Sequence, residues 1–287
     1  MITHNGKYLL HATHHGMPIY AATMGGKMVI GGWLLPLTLQ AIVAAFGSVE
    51  GGEVIQKTND YLNRIVTTDP QRALQISGFI KEDPMLVCSL VETSKIREMY
   101  SDGNAYIELR LQINSITSDS TIGYRLRNAS YTGDKTAMYG AKVTYNNNDL
   151  SISLGAWNNN GQAYIGYGQS YTNSWVYTKD TNPHTIRLAN KTAYFDGEIK
   201  KSYSPNDFTT NPLLLYRVSG GGGDSKGLDT NTAIFFARIK DININIEMYP
   251  FIRNGENGML DIISGTFHPN ANTEGSFTIA LTPKTTS

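Results

Sequence analysis

The sequence predicts a mainly β protein, a two-sheet antiparallel jelly-roll sandwich preceded by a small N-terminal region of strands and helices. Apolar and polar residues alternate along the segments that follow residue 103, and this period of two is typical of strands with one buried face. Gly- and Asn-rich turn signals separate about ten such segments, which is typical of a sandwich. Ile242, Ile244, Ile246 and Met248 predict one face of a long strand, and closely spaced turns follow it.

Residues 1–35 form the first predicted domain, a region of short strands. Asn5-Gly6, His15-Gly16 and Gly25-Gly26 are turn signals between short apolar segments. A region of this size buries too little surface to build its own core. We therefore expect it to pack on another chain or on the helices that follow, and to serve in docking.

Residues 36–98 predict a helical connector. Pro36 suits the first position of a helix, and a second helix is expected at about residues 53–66, after the Gly51-Gly52 pair. Asp69-Pro70 predicts the cap and first position of a third helix of one or two turns.

Residues 99–287 form the predicted jelly-roll domain. We place its boundary near residues 95–103, where Ser101-Asp102-Gly103 predicts a turn. Beyond this turn, every segment has the pattern of a strand or a turn.

The segment from Met28 to Val49 carries no charged residue, so it raises the question of a membrane span. Glycines, Pro36 and polar residues interrupt it, and the apolar positions from Leu39 onward have the spacing of a one-sided helix. A buried or interface helix is therefore favoured over the alternative of a membrane segment. The predicted docking interface consists of Trp33, Leu39, Ile42, Val43 and Phe46.

The composition disfavours a nucleic-acid partner. The chain has 24 Lys and Arg against 24 Asp and Glu, so it lacks the basic surface typical of nucleic-acid binders. A surface without net charge suits packing beside copies of the same chain. The single cysteine, Cys88, excludes an intrachain disulfide, and we expect it to be a small buried apolar residue. The start MITHNGKYLL does not have the pattern of a secretory signal, so we expect synthesis in a reducing cytoplasm.

No catalytic residue, metal site or cofactor is predicted. Glycoside hydrolysis needs two carboxylates across a cleft, whereas Glu108, Asp241 and Glu247 are isolated in sequence. His11 and His15 would share one face of a strand and His14 the other, so the three do not converge on a metal. The Gly- and Asp-containing segment 220–229 would supply oxygen ligands for calcium, but a flexible loop is the favoured interpretation.

Aromatic and amide residues predict a sugar-stacking surface. Sugar rings stack on exposed aromatic rings while neighbouring amides and hydroxyls bind their hydroxyl groups. The same residues would equally suit the core of the sandwich or a subunit interface. The candidate residues, which we expect in loops, are Trp157, Tyr171, Trp175 and Tyr177.

Three stretches resemble the laminin-G-like, concanavalin-A-like jelly-roll domains of virion proteins from tailed phages of gut bacteria. They are DGNAYIEL (102–109), HTIRL with AYFDG (184–188 and 193–197), and the closing run RIKDI, RNG, GMLD, GTF and GSF (238–277). In the closing run we expect Gly258 and Gly265 to supply positive φ angles and Asp261 to cap the turn between them.

The resemblance implies a non-enzymatic structural component of a phage virion, made in the host cytoplasm. The N-terminal region would dock on other virion proteins, and the jelly roll would be displayed by a homo-oligomer that contacts a host-surface glycan. A capsid auxiliary protein or head fibre is favoured over a tail fibre, because the chain is short and lacks coiled-coil heptads. The alternatives are a surface or secreted glycan-binding module of a bacterium, and a jelly-roll hydrolase, against which the missing acid pair argues.

Overall fold

The computed structural model divides the chain into two compact units, Met1–Lys95 (the N-terminal unit) and Ile96–Ser287 (the β unit). The backbone is described for six short strands between residues 2 and 29 and for residues 36–112, 118–128, 136–145, 148–157, 162–168, 170–176, 180–203, 212–217 and 232–284. Side chains are described for residues 38–112, 118–128, 138–141, 180–203, 212–217 and 232–284.

The N-terminal unit begins with strands that pair as antiparallel hairpins, β1 with β2, β3 with β4 and β5 with β6. Short strands are what the sequence predicts here, although the predicted turn dipeptides lie outside the described residues. The strands are β1 (Ile2–His4), β2 (Lys7–Leu9), β3 (Thr13–His14), β4 (Met17–Pro18), β5 (Ala22–Met24) and β6 (Lys27–Val29).

Helices follow the strands in this unit, with a 3₁₀ turn over Pro84–Leu86 between the last two. Among the described residues, no helix is both long enough and apolar enough to cross a bilayer. The helices are α1 (Pro36–Phe46), α2 (Ser48–Val66), α3 (Pro70–Glu82) and α4 (Val87–Leu90).

The second helix differs from its prediction at its start. α1 begins at Pro36 as predicted, but α2 begins at Ser48 and runs through the two glycines that were expected to precede it. Gly51 lies inside the helix because α1 packs closely against α2 at this point. A Cβ atom on Gly51 would lie 2.7 Å from the Cα atom of Val43. Gly47, with φ 91°, makes the sharp turn between the helices. Gly51 therefore marks a close helix contact and not a break.

The third helix confirms the predicted cap and is longer than predicted. Asp69 Oδ1 accepts a hydrogen bond from the Arg72 amide at 2.9 Å, and Pro70 occupies the first turn. The helix continues to Glu82, beyond the one or two turns expected. One face stays buried along its whole length, through Ala73, Ile76, Ser77, Phe79 and Ile80.

The β unit contains a large antiparallel sheet in which eight strands follow the order β16-β15-β14-β9-β18-β19-β20-β21. Strand β7 also pairs with β18, and β22 pairs with β7. This sheet has ten strands in the part of the chain that the structure describes. They are β7 (Lys95–Ser101), β9 (Asp119–Leu126), β14 (His184–Ala189), β15 (Thr192–Phe195), β16 (Glu198–Ser202), β18 (Thr232–Asp241), β19 (Ile244–Arg253), β20 (Glu256–Asp261), β21 (Phe267–Pro269) and β22 (Phe277–Pro283).

A smaller second sheet has the order β13-β12-β11-β10-β17-β8. One cluster of buried side chains draws on both sheets, for example Ile107 of β8 and Ile239 of β18, and the hydroxyls of Ser120 and Tyr139 lie 3.1 Å apart across it. The mainly β prediction is therefore confirmed. The strands are β8 (Ile107–Glu108), β10 (Thr136–Tyr145), β11 (Asn148–Trp157), β12 (Gln162–Gly168), β13 (Ser170–Val176) and β17 (Leu214–Leu215).

The predicted long strand at residues 242–248 is interrupted. Ile242 lies in a turn between β18 and β19 and is 72% exposed, so it does not share a buried face with Ile246. Asp241 Oδ1 accepts a hydrogen bond from the Ile242 amide at 2.9 Å and so favours the turn. The apolar alternation was correct from Ile244 onward, whereas the preceding Asp signals a turn.

The closing run forms the turns that its residues predict, with one exception. Asn254 (φ 53°) and Gly255 (φ 82°) connect β19 to β20, and Gly265 has φ 79°. Asp261 accepts hydrogen bonds from the amides of Glu247, Ile263 and Ser264 at 3.0–3.2 Å, so it caps the turn as predicted. The prediction for Gly258 is wrong: it lies inside β20 without a positive φ. A Cβ atom there would lie 2.5 Å from the His268 carbonyl oxygen, so close strand approach requires glycine.

The first and last segments of the β unit are joined by a clasp, which we define as residues 102–106 with residues 270–276. Asp102 accepts hydrogen bonds from the amide and hydroxyl of Ser276 at 2.7 and 3.0 Å. Asn270 accepts from the Tyr106 amide at 3.2 Å, and Gly275 packs so closely that a Cβ atom would lie 2.3 Å from the Ala105 nitrogen. The clasp connects positions about 170 residues apart in sequence.

Candidate functional site

A row of side chains crosses the large sheet on the face opposite the buried cluster. The strand register pairs Tyr194 with Arg187, Arg187 with Thr121, Thr121 with Arg238, and Arg238 with Glu247. We call these five residues the outer row. They lie on five neighbouring strands, from β15 to β19, so the row is about 19 Å long at the usual strand spacing.

The alternation of side chains along each strand places these residues on one face. The chain neighbours of Arg187, which are Ile186 and Leu188, are buried in the cluster shared by the two sheets, and so are Ala237 and Ile239 around Arg238. Because successive side chains of a strand point to opposite faces, the polar residues between them face away from this core. The outer row is therefore exposed to half-buried.

Arg187 is held by a carboxylate and an aromatic ring. Its Nε donates to Asp119 Oδ1 at 2.9 Å and its Nη2 donates to Asp119 Oδ2 at 2.7 Å. Its guanidinium lies over the ring of Tyr194, 5.3 Å from the ring centre. The hydrogen bond with Asp119 raises the pKa of Arg187. A bidentate pair of this kind fixes the guanidinium plane.

Arg238 has an equivalent arrangement two strands away. Its Nε donates to Glu247 Oε1 at 3.0 Å, its Nη2 donates to the Tyr249 hydroxyl at 3.2 Å, and its guanidinium lies 4.7 Å from the ring centre of Phe236. Burial alone would lower the pKa of Arg238, but Tyr249 and Glu247 raise it overall. The Tyr249 hydroxyl donates to the Glu247 carboxylate. Burial, and then this carboxylate, raise the pKa of Tyr249.

Aromatic rings cover the sheet beside the row. Phe235 and Phe236 are half-buried and contact each other edge to face, with ring centres 5.3 Å apart. Gly123 lies directly under both rings, since a Cβ atom there would lie 2.4 Å from each. The register between β18 and β9 shifts at this point, which gives Phe235 an extra position on its strand. The site thus combines fixed guanidinium groups with flat apolar surface, which is suited to binding and orienting a polar ligand.

The outer row was not among the residues singled out from the sequence. Glu247 was considered only as an isolated acid, yet it lies against Arg238 of the preceding strand. The only signal in the sequence is an arginine at a polar position in each of two segments where apolar and polar residues alternate, Arg187 and Arg238. It becomes a site only when β9 is known to lie between β14 and β18.

The predicted sugar-stacking residues are placed differently from their prediction. Trp157 ends β11, and Tyr171 and Trp175 lie on β13, so these three are in strands and not in loops. Trp157 pairs with Gln162, Tyr171 with Gly166, and Trp175 with Ala163, so they occupy separate cross-strand rows. Tyr177 and all four side chains lie outside the described residues, and their role in sugar binding stays a prediction.

The predicted docking residues are partly interior. Ile42 is fully buried and Phe46 is 8% exposed, whereas Leu39 and Val43 are half-buried. Of these four described residues, a partner would reach Leu39 and Val43 in this conformation. Trp33 lies outside the described residues, and docking through this set stays a prediction.

Among the described residues, the other chemical candidates do not form a metal site. Within the described ranges no three His, Cys, Asp or Glu side chains are placed to share a metal ion. His11, His15 and the segment 220–229 lie outside those ranges, as does the side chain of His14. Cys88 is buried, as expected.

A second charged cluster involves His184 at the start of β14. Its Nδ1 lies 2.7 Å from Asp196 Oδ2 and its Nε2 lies 2.9 Å from Asp180 Oδ1. Asp196, in the Asp-Gly turn, also accepts a hydrogen bond from the Thr185 amide at 2.7 Å. The two carboxylates lie on opposite sides of the ring, so they do not converge on one ligand. This cluster anchors the turn and the segment that enters β14.

A cavity of about 300 Å³ in the N-terminal unit lies between α2 and residues 92–94. Its polar groups bind each other, since Lys57 Nζ donates to the Glu92 carbonyl at 3.3 Å and Glu50 accepts from the Ser94 amide at 3.0 Å. These contacts hold the segment against the helix and make the cavity a weaker candidate than the outer row.

No protein-family model matches the chain, and no curated protein matches it significantly.

Proposed function

We propose that this protein is a non-enzymatic structural component of a bacteriophage virion. The N-terminal unit docks on other virion proteins, and the β unit, a laminin-G-like jelly roll, is displayed at the particle surface. A capsid auxiliary protein or head fibre fits better than a tail fibre, because this sequence has no coiled-coil heptads.

The observation that carries the proposal is the geometry of the residues on which the resemblance rests. Asp102 of the opening stretch and Asp261 of the closing run each accept several backbone hydrogen bonds at a turn, and Asp196 of the hairpin accepts one, from the Thr185 amide. Because these carboxylates hold turns together, we expect the short motifs that contain them to recur within one kind of β domain. The division of the chain between Lys95 and Ile96 supports a separation of docking from display.

The proposal is tested by asking whether the protein is part of particles. Phage particles from a lysate of the source culture are purified by density gradient, and each fraction is probed with an antibody against this chain. We expect the chain to co-sediment with infectivity and to persist after a high-salt wash. Recovery of the chain only with host membranes or in the soluble fraction would contradict the proposal.

A surface or secreted glycan-binding module of a bacterium is the second candidate. The outer row favours it, because fixed arginines beside aromatic rings suit a hydroxyl-rich ligand. The same antibody distinguishes the two, since this alternative expects the chain on uninfected cells or in their medium.

A further inference from the structure

The outer row presents hydrogen-bond donors that are fixed in position and still available to solvent. A guanidinium has five N–H groups, and the contacts of Arg187 and Arg238 described above use the Nε and Nη2 atoms of each. Their side chains are 45% and 48% exposed. The remaining N–H groups therefore reach water, while the ion pairs keep the guanidinium planes in place.

The charges of the site are balanced in pairs. Asp119 offsets Arg187, and Glu247 offsets Arg238. The carboxylate beside each guanidinium would repel an anionic ligand, and the guanidinium beside each carboxylate would repel a cationic ligand. An uncharged ligand whose hydroxyl groups both donate and accept hydrogen bonds complements this mixture best.

The dimensions and the apolar surface indicate an extended ligand. The two arginines are on strands separated by one strand, so they are about 10 Å apart. The rings of Tyr194 and Phe236, both half-buried, lie beside the guanidinium groups and offer contact area to the C–H faces of sugar rings. Thr121 fills the position between the arginines with a small hydroxyl-bearing side chain.

We propose that the outer row binds a neutral polysaccharide, which lies across the strands from β15 to β19. This inference rests on the proposed function, in which the β unit is displayed at the particle surface. It assigns ligand binding to the large sheet and not to the aromatic residues of the small sheet.

The test is affinity electrophoresis of the purified full-length chain in native gels that contain dextran, mannan, galactan or, as an acidic comparison, alginate. We expect at least one neutral polymer to retard the chain. Arg187→Ala and Arg238→Ala should each weaken that retardation about tenfold, as expected for the loss of a charged hydrogen-bond donor. Arg64→Ala, which removes an exposed arginine of α2 in the N-terminal unit, should leave it unchanged.

A second variant keeps the test decisive if the arginine variants fold poorly. Thr121→Glu leaves both arginines in place but supplies a carboxylate that occupies their free N–H groups, so it should abolish retardation while thermal unfolding remains cooperative. The inference would be overturned if alginate alone retarded the chain, or if none of the neutral polymers did. It would also be overturned if a neutral polymer retarded the wild type and Thr121→Glu equally. A loss confined to Trp157→Ala or Trp175→Ala would overturn it as well. None of these results concerns particle association, so failure here is distinguishable from failure of the proposed function.

Discussion

At the scale of single residues, Asp102 makes more hydrogen bonds within the β unit than its exposed position suggests. Its Oδ1 accepts hydrogen bonds from the Asn104 and Ala105 amides at 2.9 and 3.1 Å, and its Oδ2 accepts two from Ser276. Partial burial alone would raise the pKa of Asp102, but these hydrogen bonds lower it below its usual value. The ionised carboxylate therefore joins the first and last segments of the unit.

Replacing Asp102 should reveal this role in both stability and pH dependence. We expect Asp102→Ala to lower the free energy of unfolding by about 1 kcal/mol, because amide donors at a turn lose their acceptor. A lowered pKa in the folded state means that the contribution is complete above the unfolded pKa of about 3.9 and is lost as pH falls below that value and through the lower folded pKa. Urea unfolding at several pH values measures both effects. Asp102→Asn is the uncharged comparison for the pH dependence. If the difference in unfolding free energy between the wild type and Asp102→Asn did not shrink on acidification, the ionised carboxylate would not have this role.

The two arginines of the outer row and the neighbouring Tyr249 should keep their protonation states over a wide pH range. The pKa values of Arg187 and Arg238 are raised, so both stay charged, and the pKa of Tyr249 is raised, so its hydroxyl stays protonated. We therefore expect polysaccharide retardation to be constant between about pH 6 and pH 9. Electrophoresis in buffers across this range measures it, and a steep change near neutrality would show that another titrating group controls binding.

At the scale of secondary-structure elements, the two glycines of α2 are a matched pair. A Cβ atom on Gly51 would meet the backbone of Val43, whereas nothing lies within 4 Å of one on Gly52. In a helix interior, glycine is less favourable than alanine by about 0.5–1 kcal/mol. The two positions therefore separate helix propensity from helix packing.

Alanine at these positions should have opposite effects. Gly52→Ala should stabilise the chain by up to about 1 kcal/mol, since only helix propensity changes. Gly51→Ala should destabilise it by about 1–3 kcal/mol, because α1 must move away from α2. Thermal unfolding followed by circular dichroism compares the two variants directly. Equal shifts in the same direction would mean that the helices do not pack as closely as described.

Local chemistry could be predicted from sequence, whereas features set by distant segments could not. The Asp69-Pro70 helix start, the positive φ of Gly265 and the Asp261 cap were predicted, because each depends on a few consecutive residues. The roles of Gly51 and Gly258 were missed, since they depend on which backbone segment packs against them. The outer row was missed for the same reason, as it requires the order of five strands that are not consecutive in sequence.

At the scale of the whole molecule, the β unit has a buried cluster of its own. The members of this cluster among the described residues lie between Met99 and Ile279, and the clasp closes the unit near the same ends of the chain. A unit with its own core is expected to fold independently.

Residues 96–287 should therefore fold when produced alone. We expect a strand-dominated circular dichroism spectrum and one cooperative thermal transition, with the full chain as the reference. A fragment that is soluble but unfolds without cooperativity would show that the N-terminal unit completes the fold of the β unit.

We propose that this chain is a structural protein of a phage particle. Immunogold electron microscopy of gradient-purified particles, with an antibody raised against the β unit, tests it most directly. We expect gold label at repeated positions on intact particles, concentrated on the head. Particles without label, in a preparation whose lysate contains the protein, would contradict it.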